Sequence, residues 1–184
     1  MSESTILTRE QIRALNSPIR LDIMTSLRAY GDATAGEIAA RVRIDEHLLY
    51  YHLRCLTKVD LVTITGQRAG STKPETIFSA RAPGSTSELD MRDEATRNEV
   101  KRNVHTILKA AAREYCDATD IHFNDHRDDF LLVRRSASLS AEKRKEFIEL
   151  VDKLTMLLDE QSEPGGEAFG LTLVMSPLPR IEKL

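Results

Sequence analysis

Glu46, His47, Tyr50, Tyr51 and Arg54 fall within nine residues, at separations of three and four that put them on one side of a helix. A carboxylate, an imidazole, two phenols and a guanidinium together offer the donors and acceptors that base edges and phosphates need, and a guanidinium can bond a guanine bidentately. Leu49, Leu53 and Leu56 recur at the inward positions of the same stretch, with Leu48 and Val59 flanking them. Asp45 stands where it could cap the first free N–H groups and Asp60 marks the end, so the pattern predicts a helix over 45–59 that suits a major groove. His52 lies on the boundary between the faces. Structural hydrogen bonding and DNA contact are both open to it.

Other residues could add to the same chemistry. Arg68 and Lys73 lie in a polar stretch, Gly66 to Pro74, where cations can neutralise phosphates or enter a minor groove. Thr34 opens a helix and can offer a hydroxyl and backbone N–H groups to a phosphate. His122 and His126 are four apart with Asp120, Asp125, Asp128 and Asp129 nearby, a spacing that would bind a divalent metal on a helix. The acids and Asn124 point instead to an exposed loop, so no metal is expected. Arg134 and Arg135 follow a short apolar run, where cations commonly protect a sheet edge. Cys55 and Cys116 are far apart and lack CxxC spacing, so both are expected to serve as packing residues. No GxSxG, P-loop, dinucleotide fingerprint or HExxH is present, and neither catalysis nor a cofactor is expected.

The elements that must hold the first set follow from the preceding residues. Thr8-Arg9-Glu10-Gln11 has capping-box spacing, and Ile12 and Leu15 begin an apolar face. Asn16-Ser17-Pro18 restarts the chain as a second helix with Ile19, Ile23, Met24 and Leu27 inward, ending at Gly31. Thr34-Ala35-Gly36-Glu37 is a second capping box, followed by Ile38, Ala39 and Val42, and Arg43-Ile44 turns into the helix over 45–59. This is a helix-turn-helix pattern. Leu61 to Thr65 and Thr76 to Ser79 read as two strands around the loop 66–74, which adds a wing.

Ala-Leu-Asn-Ser-Pro-Ile-Arg-Leu-Asp-Ile-Met from Ala14, Thr-Ala-Gly-Glu-Ile-Ala-Ala-Arg-Val from Thr34, then His-Leu-Arg-Cys-Leu and Asp-Leu-Val, in that order, resemble the ArsR-type winged-helix transcriptional repressors. The resemblance covers about the first 80 residues. It implies a homodimer that places one recognition helix per protomer in successive major grooves of a palindromic operator. Metal-sensing members carry paired cysteines on the helix-turn-helix or His and Asp clusters on a C-terminal helix. Here the recognition segment has only Cys55, so sensing at the usual cysteine site is not implied.

Beyond a Pro/Gly/Ser linker at 81–87, a long helix is expected from Ser87 to Tyr115. Its Val100, Val104, Ile107 and Ala111 form a narrow seam for packing on another helix, read as the dimer arm. Residues 117–129 are polar, Phe130 to Val133 reads as a strand, Ser140 caps a helix, and Phe169, Leu171, Leu173 and Met175 alternate as a last strand. Such a strand–helix–strand unit is too small to bury a core alone, and should pack on the long helix or on its copy in a partner. The expected class is mainly α with a small β component (α+β), divided into a winged helix at 1–82, a linker and dimerisation helix at 83–116, and a C-terminal dimerisation or effector unit at 117–184.

At 184 residues with 41% hydrophobic and 30% charged content, the chain has the composition of a globular protein, with a net charge of −3. Residues 1–82 carry 11 Lys/Arg and 9 Asp/Glu, a net of +2, leaving −5 for the remainder. That asymmetry favours an N-terminal half that meets nucleic acid. No membrane span or export signal is evident, so a cytoplasmic place is expected. The expected partners are double-stranded DNA, a second copy and an unnamed small-molecule effector. The competing expectation is a winged helix used for protein contact without specific DNA binding.

Overall fold

The structure, a computed structural model, describes residues 5–70, 73–81, 84–85, 89–122, 130–160 and 167–177. After a two-residue strand β1 (Thr5–Ile6), helix α1 (Arg9–Leu15) starts where Thr8 and Gln11 form the reciprocal capping box. The same Gln11 side chain donates through Nε2 to the carbonyl of Val59, 2.9 Å away, tying α1 to a distant helix end. Pro18 opens α2 (Pro18–Tyr30), and Gly31 ends it at φ 75°, a conformation that favours glycine. Strand β2 (Ala33–Thr34) leads straight into α3 (Ala35–Val42), whose first turn is closed by the Thr34–Glu37 box.

Arg43 turns the chain in the left-handed region at φ 59°, and α4 (Glu46–Lys58) follows. Asp45 occupies the cap position, but its side chain makes no capping bond. Its carbonyl instead accepts from the Leu48 and Leu49 N–H groups, so backbone geometry alone starts the helix. Leu49, Leu53 and Leu56 are buried as their spacing requires, whereas Leu48 points to solvent. Asp60, at φ 58°, ends the helix, and the Leu61 N–H returns to the Leu56 carbonyl.

Strand β3 (Val62–Arg68) and strand β4 (Glu75–Ala80) pair antiparallel, and β2 joins the other edge of β4. The wing is therefore longer in strand and shorter in loop than the sequence suggests. A bulge between Ile64 and Gly66 lets β3 run on through Gly66, Gln67 and Arg68. A short strand β5 (Gly84–Ser85) lies parallel to β1. Ile12, Ile23, Met24, Ile38, Leu49, Leu53, Leu56 and Val62 form the innermost core, contributed by α1 to α4 and β3.

Helix α5 (Glu94–His122) begins later and ends later than expected. The Asp93 carboxylate accepts from the N–H groups of Ala95 and Thr96 and from the Thr96 hydroxyl, which fixes the start. No Gly or Pro occurs between Ser85 and Glu163 to stop a helix at Tyr115. α5 packs on α1 and α2 of its own chain: Thr96, Asn103 and Ala110 are buried and Val100 lies against the core. Asn16 donates to the Glu99 carboxylate at 2.7 Å and Arg113 pairs with Asp22 at 2.6 Å. The expected seam is thus divided. Val100 serves the protomer's own core, while Val104 and Ala111 share a stripe with exposed Leu108 and Tyr115.

Helix α6 (Ala141–Glu160) is capped by the Ser140 hydroxyl as expected. Its flanking strands do not form: among the described residues, neither 130–133 nor 169–175 pairs with another segment. A strand needs a partner edge for its backbone groups, so an alternating pattern alone does not make one. Cys116 is exposed on α5 and is not a packing residue, whereas Cys55 is half-buried.

Candidate nucleic-acid interface

The inward leucines of α4 fix which residues are displayed. Glu46, His47, Tyr50, Tyr51 and Arg54 are all exposed, on a helix anchored on its other side by three fully buried side chains. The Tyr50 hydroxyl donates to the Glu46 carboxylate at 3.1 Å, and partial burial together with that bond pushes the phenol above its ordinary pKa. Tyr51 meets His52 edge to face, with ring centroids 5.3 Å apart. Among the described residues Arg54 has no ion-pair partner, so its guanidinium is available to an anion.

His52 turns inward from this face. It is half-buried and its Nδ1 is enclosed without a hydrogen-bond partner; burial first, and then the nearby Arg20 charge, lowers its pKa. A neutral, structural imidazole fits these surroundings better than a phosphate contact.

Of the flanking residues, Arg68 lies on β3 and forms a 2.7 Å bridge to Glu37 at the third position of α3. Glu37 also accepts from the Thr34 N–H at 2.8 Å. That backbone bond, followed by the Arg68 bond, holds the Glu37 carboxyl below its ordinary range despite some burial. One carboxylate therefore joins the start of α3 to the wing. Thr65 adds a second tie, its hydroxyl donating to Asp32 at 3.1 Å. Lys73 is exposed near the wing tip.

Thr34 is not displayed as the sequence suggests. It is buried, and its hydroxyl accepts from the Glu37 N–H, so its capping groups are spent inside the protein. Glu37 was legible as a capping residue but not as the partner of Arg68, because 31 residues and a bulged strand separate them. Exposed Arg43, in the turn before α4, is a further cation beside this face.

The candidate metal ligands divide at the end of α5. Asp120 is exposed on the helix, whereas residues 123–129, with Asp125, His126, Asp128 and Asp129, and the side chain of His122 lie outside what the structure describes. Among the described residues no three His, Cys, Asp or Glu side chains cluster as a metal site.

Comparison with known proteins returns the helix-turn-helix core. Residues 15–65 match a helix-turn-helix domain family. This family includes ArsR-like regulators, and the match runs from the end of α1 through α4 into β3. It leaves β4, α5 and α6 outside. No curated protein matches the chain. Among the described residues no helix is long and apolar enough to cross a membrane.

Proposed function

We propose that this protein is a dimeric, sequence-specific DNA-binding transcriptional regulator that acts in the cytoplasm as a repressor, by occupying promoter DNA. The observation that carries the reading is the exposed set Glu46, His47, Tyr50, Tyr51 and Arg54 on a helix pinned by Leu49, Leu53 and Leu56 within a helix-turn-helix. Such a helix can enter a major groove with its displayed side chains on base edges, while Arg68 and Lys73 follow the adjacent backbone or minor groove. Arg68 reaches a phosphate by exchanging or sharing its Glu37 partner, whereas Lys73 reaches one directly. The buried Thr34 hydroxyl has no place in this contact set.

Two copies are needed to read a palindrome, and the stripe of Val104, Leu108, Ala111 and Tyr115 on α5 supplies an apolar surface for the second copy, with the half-buried Ile107 on the same helix and Val100 packed against the core. A small-molecule effector acts on such a dimer only by binding one arrangement better than another.

Selection from a random duplex library tests the reading. It should enrich an inverted repeat with half-sites about one helical turn, or a multiple of it, apart. A library left unenriched after repeated rounds would instead support the second reading, a protein-interaction module. Exposed Leu48 on α4 and Ile64 on the wing are the observations that favour it.

A further inference from the structure

We infer that Glu46 and Tyr50 act as one acceptor-only pair at the start of α4, which selects a cytosine in the DNA site by bonding its exocyclic amino group. The Tyr50 hydroxyl donates to Glu46 Oε1 at 3.1 Å, because a carboxylate accepts and does not donate. That bond leaves the pair with lone pairs only, on the two carboxylate oxygens and on the phenol oxygen. Burial first, then the bond to Glu46 and the charges of Glu46 and Glu75, raise the Tyr50 pKa, so the proton stays on the phenol. Glu46 Oε2 lies over Gly36 of α3, 3.6 Å from where a β-carbon would stand, and Arg68 of the wing bonds Glu37 instead.

Position and charge decide which group of the DNA this pair meets. Recognition helices of helix-turn-helix proteins touch base edges with their N-terminal residues, and Glu46 is the first residue of α4, with Tyr50 one turn on and both exposed. A phosphate is disfavoured, since Glu46 and Glu75 place two negative charges around the phenol. What remains is a donor on a base edge, and the major groove has two kinds, the cytosine N4 and adenine N6 amino groups. Guanine N7 and O6 and thymine O4 are acceptors and would set lone pair against lone pair.

Cytosine fits the pair better than adenine. Beside its amino group adenine carries N7, an acceptor that would face the pair's second oxygen, whereas cytosine has a C5–H there. Tyr50 is the positioning residue: it fixes one carboxylate oxygen and leaves the other free to reach the groove. The inference rests on the DNA reading of the proposed function and deepens it, adding a base and the two side chains that choose it.

The test uses the full chain, with selection from a random duplex library followed by competition binding. The native protein should enrich a C·G pair at one fixed position, and Glu46→Gln should move that position towards adenine, whose N6–H and N7 match an amide. In the selected duplex, N4-methylcytosine at that position removes the groove-facing N–H and keeps the base pair. It should weaken native binding by about 10-fold yet change binding by Glu46→Ala less than about 2-fold, because the acceptor is already gone. Tyr50→Phe should lose part of the same discrimination at an unchanged salt slope, a result that loss of a phosphate contact would not give. Both side chains are exposed, so circular dichroism should show the variants folded. A selected site with no cytosine that depends on Glu46, or a methyl penalty equal in native and Glu46→Ala proteins, would overturn the inference and leave the proposed function standing. A library that enriches no sequence would overturn the proposed function and the inference with it.

Discussion

Glu37 shows how a single side chain can belong to both a helix cap and a wing. Its carboxylate accepts from the Thr34 N–H and from Arg68, so removing its charge should loosen the wing while leaving α3 its hydroxyl cap. Glu37→Gln should therefore change operator affinity more than melting temperature, as compared by binding titration and thermal unfolding. The Glu37 pKa is depressed in the fold, so its contribution to stability is present at neutral pH and is lost as pH falls through the carboxylate range. His52 is depressed too, because its charged form is unwelcome where it sits. The unfolded chain then binds the extra proton, and stability should fall as pH drops from neutral through the ordinary imidazole range. Denaturant titrations at about pH 7.5 and about pH 5.5 should show that His52→Gln reduces this loss; an equal loss in both proteins would remove His52 as its cause. On the outward face, Arg54→Ala with Tyr51→Ala should weaken operator binding by about 10- to 100-fold or more without dissociating the dimer, and unchanged binding would remove the recognition-helix assignment.

At the scale of elements, α1 to α4 were legible because each carries a local signal: two capping boxes, Pro18 at a helix start, and a leucine stripe that fixes the buried side of α4. That stripe also sets which α4 residues are displayed, so the exposed face of α4 is legible in the sequence. What was not readable depended on distant partners. Thr34 looks available in sequence because nothing local shows that β4 will pair beside it and bury it; Ala33 and Thr34 lie opposite Phe78 and Ile77. The start of α5 was misplaced because a run of charged residues reads as helix, while the decisive Asp93 cap is a side-chain detail within that run. Strand-like patterns at 130–133 and 169–175 are real in sequence, but a strand exists only with an edge to pair against. Leu53 tests how tightly the leucine stripe holds α4: Leu53→Ala should cost about 2–5 kcal/mol in denaturant unfolding, far more than substitution of its outward neighbour Arg54. A cost below about 1 kcal/mol would mean that α4 is not anchored through this core.

For the molecule as a whole, α5 is both a cover for the winged helix and the route to the rest of the chain. Because Thr96, Val100, Asn103 and Ala110 lie against α1 and α2, a chain ending at Ala82 should unfold at lower denaturant than one ending at His122. Equal midpoints would make α5 a separate arm. The charge asymmetry sets a matching expectation, since the half with the net positive charge holds the outward face of α4 and the wing cations. The central claim is that this face reads DNA sequence, and fluorescence-anisotropy titration tests it most directly. The full chain is titrated against duplex from upstream of its own gene and against a scrambled duplex, across a salt series. The account predicts binding at least about 1,000-fold tighter to the native fragment at physiological salt, with log affinity falling linearly in log salt as phosphate contacts release counterions. Equal and weak binding to both duplexes, repeated with other promoter fragments, would contradict it and leave the winged helix as a surface for proteins.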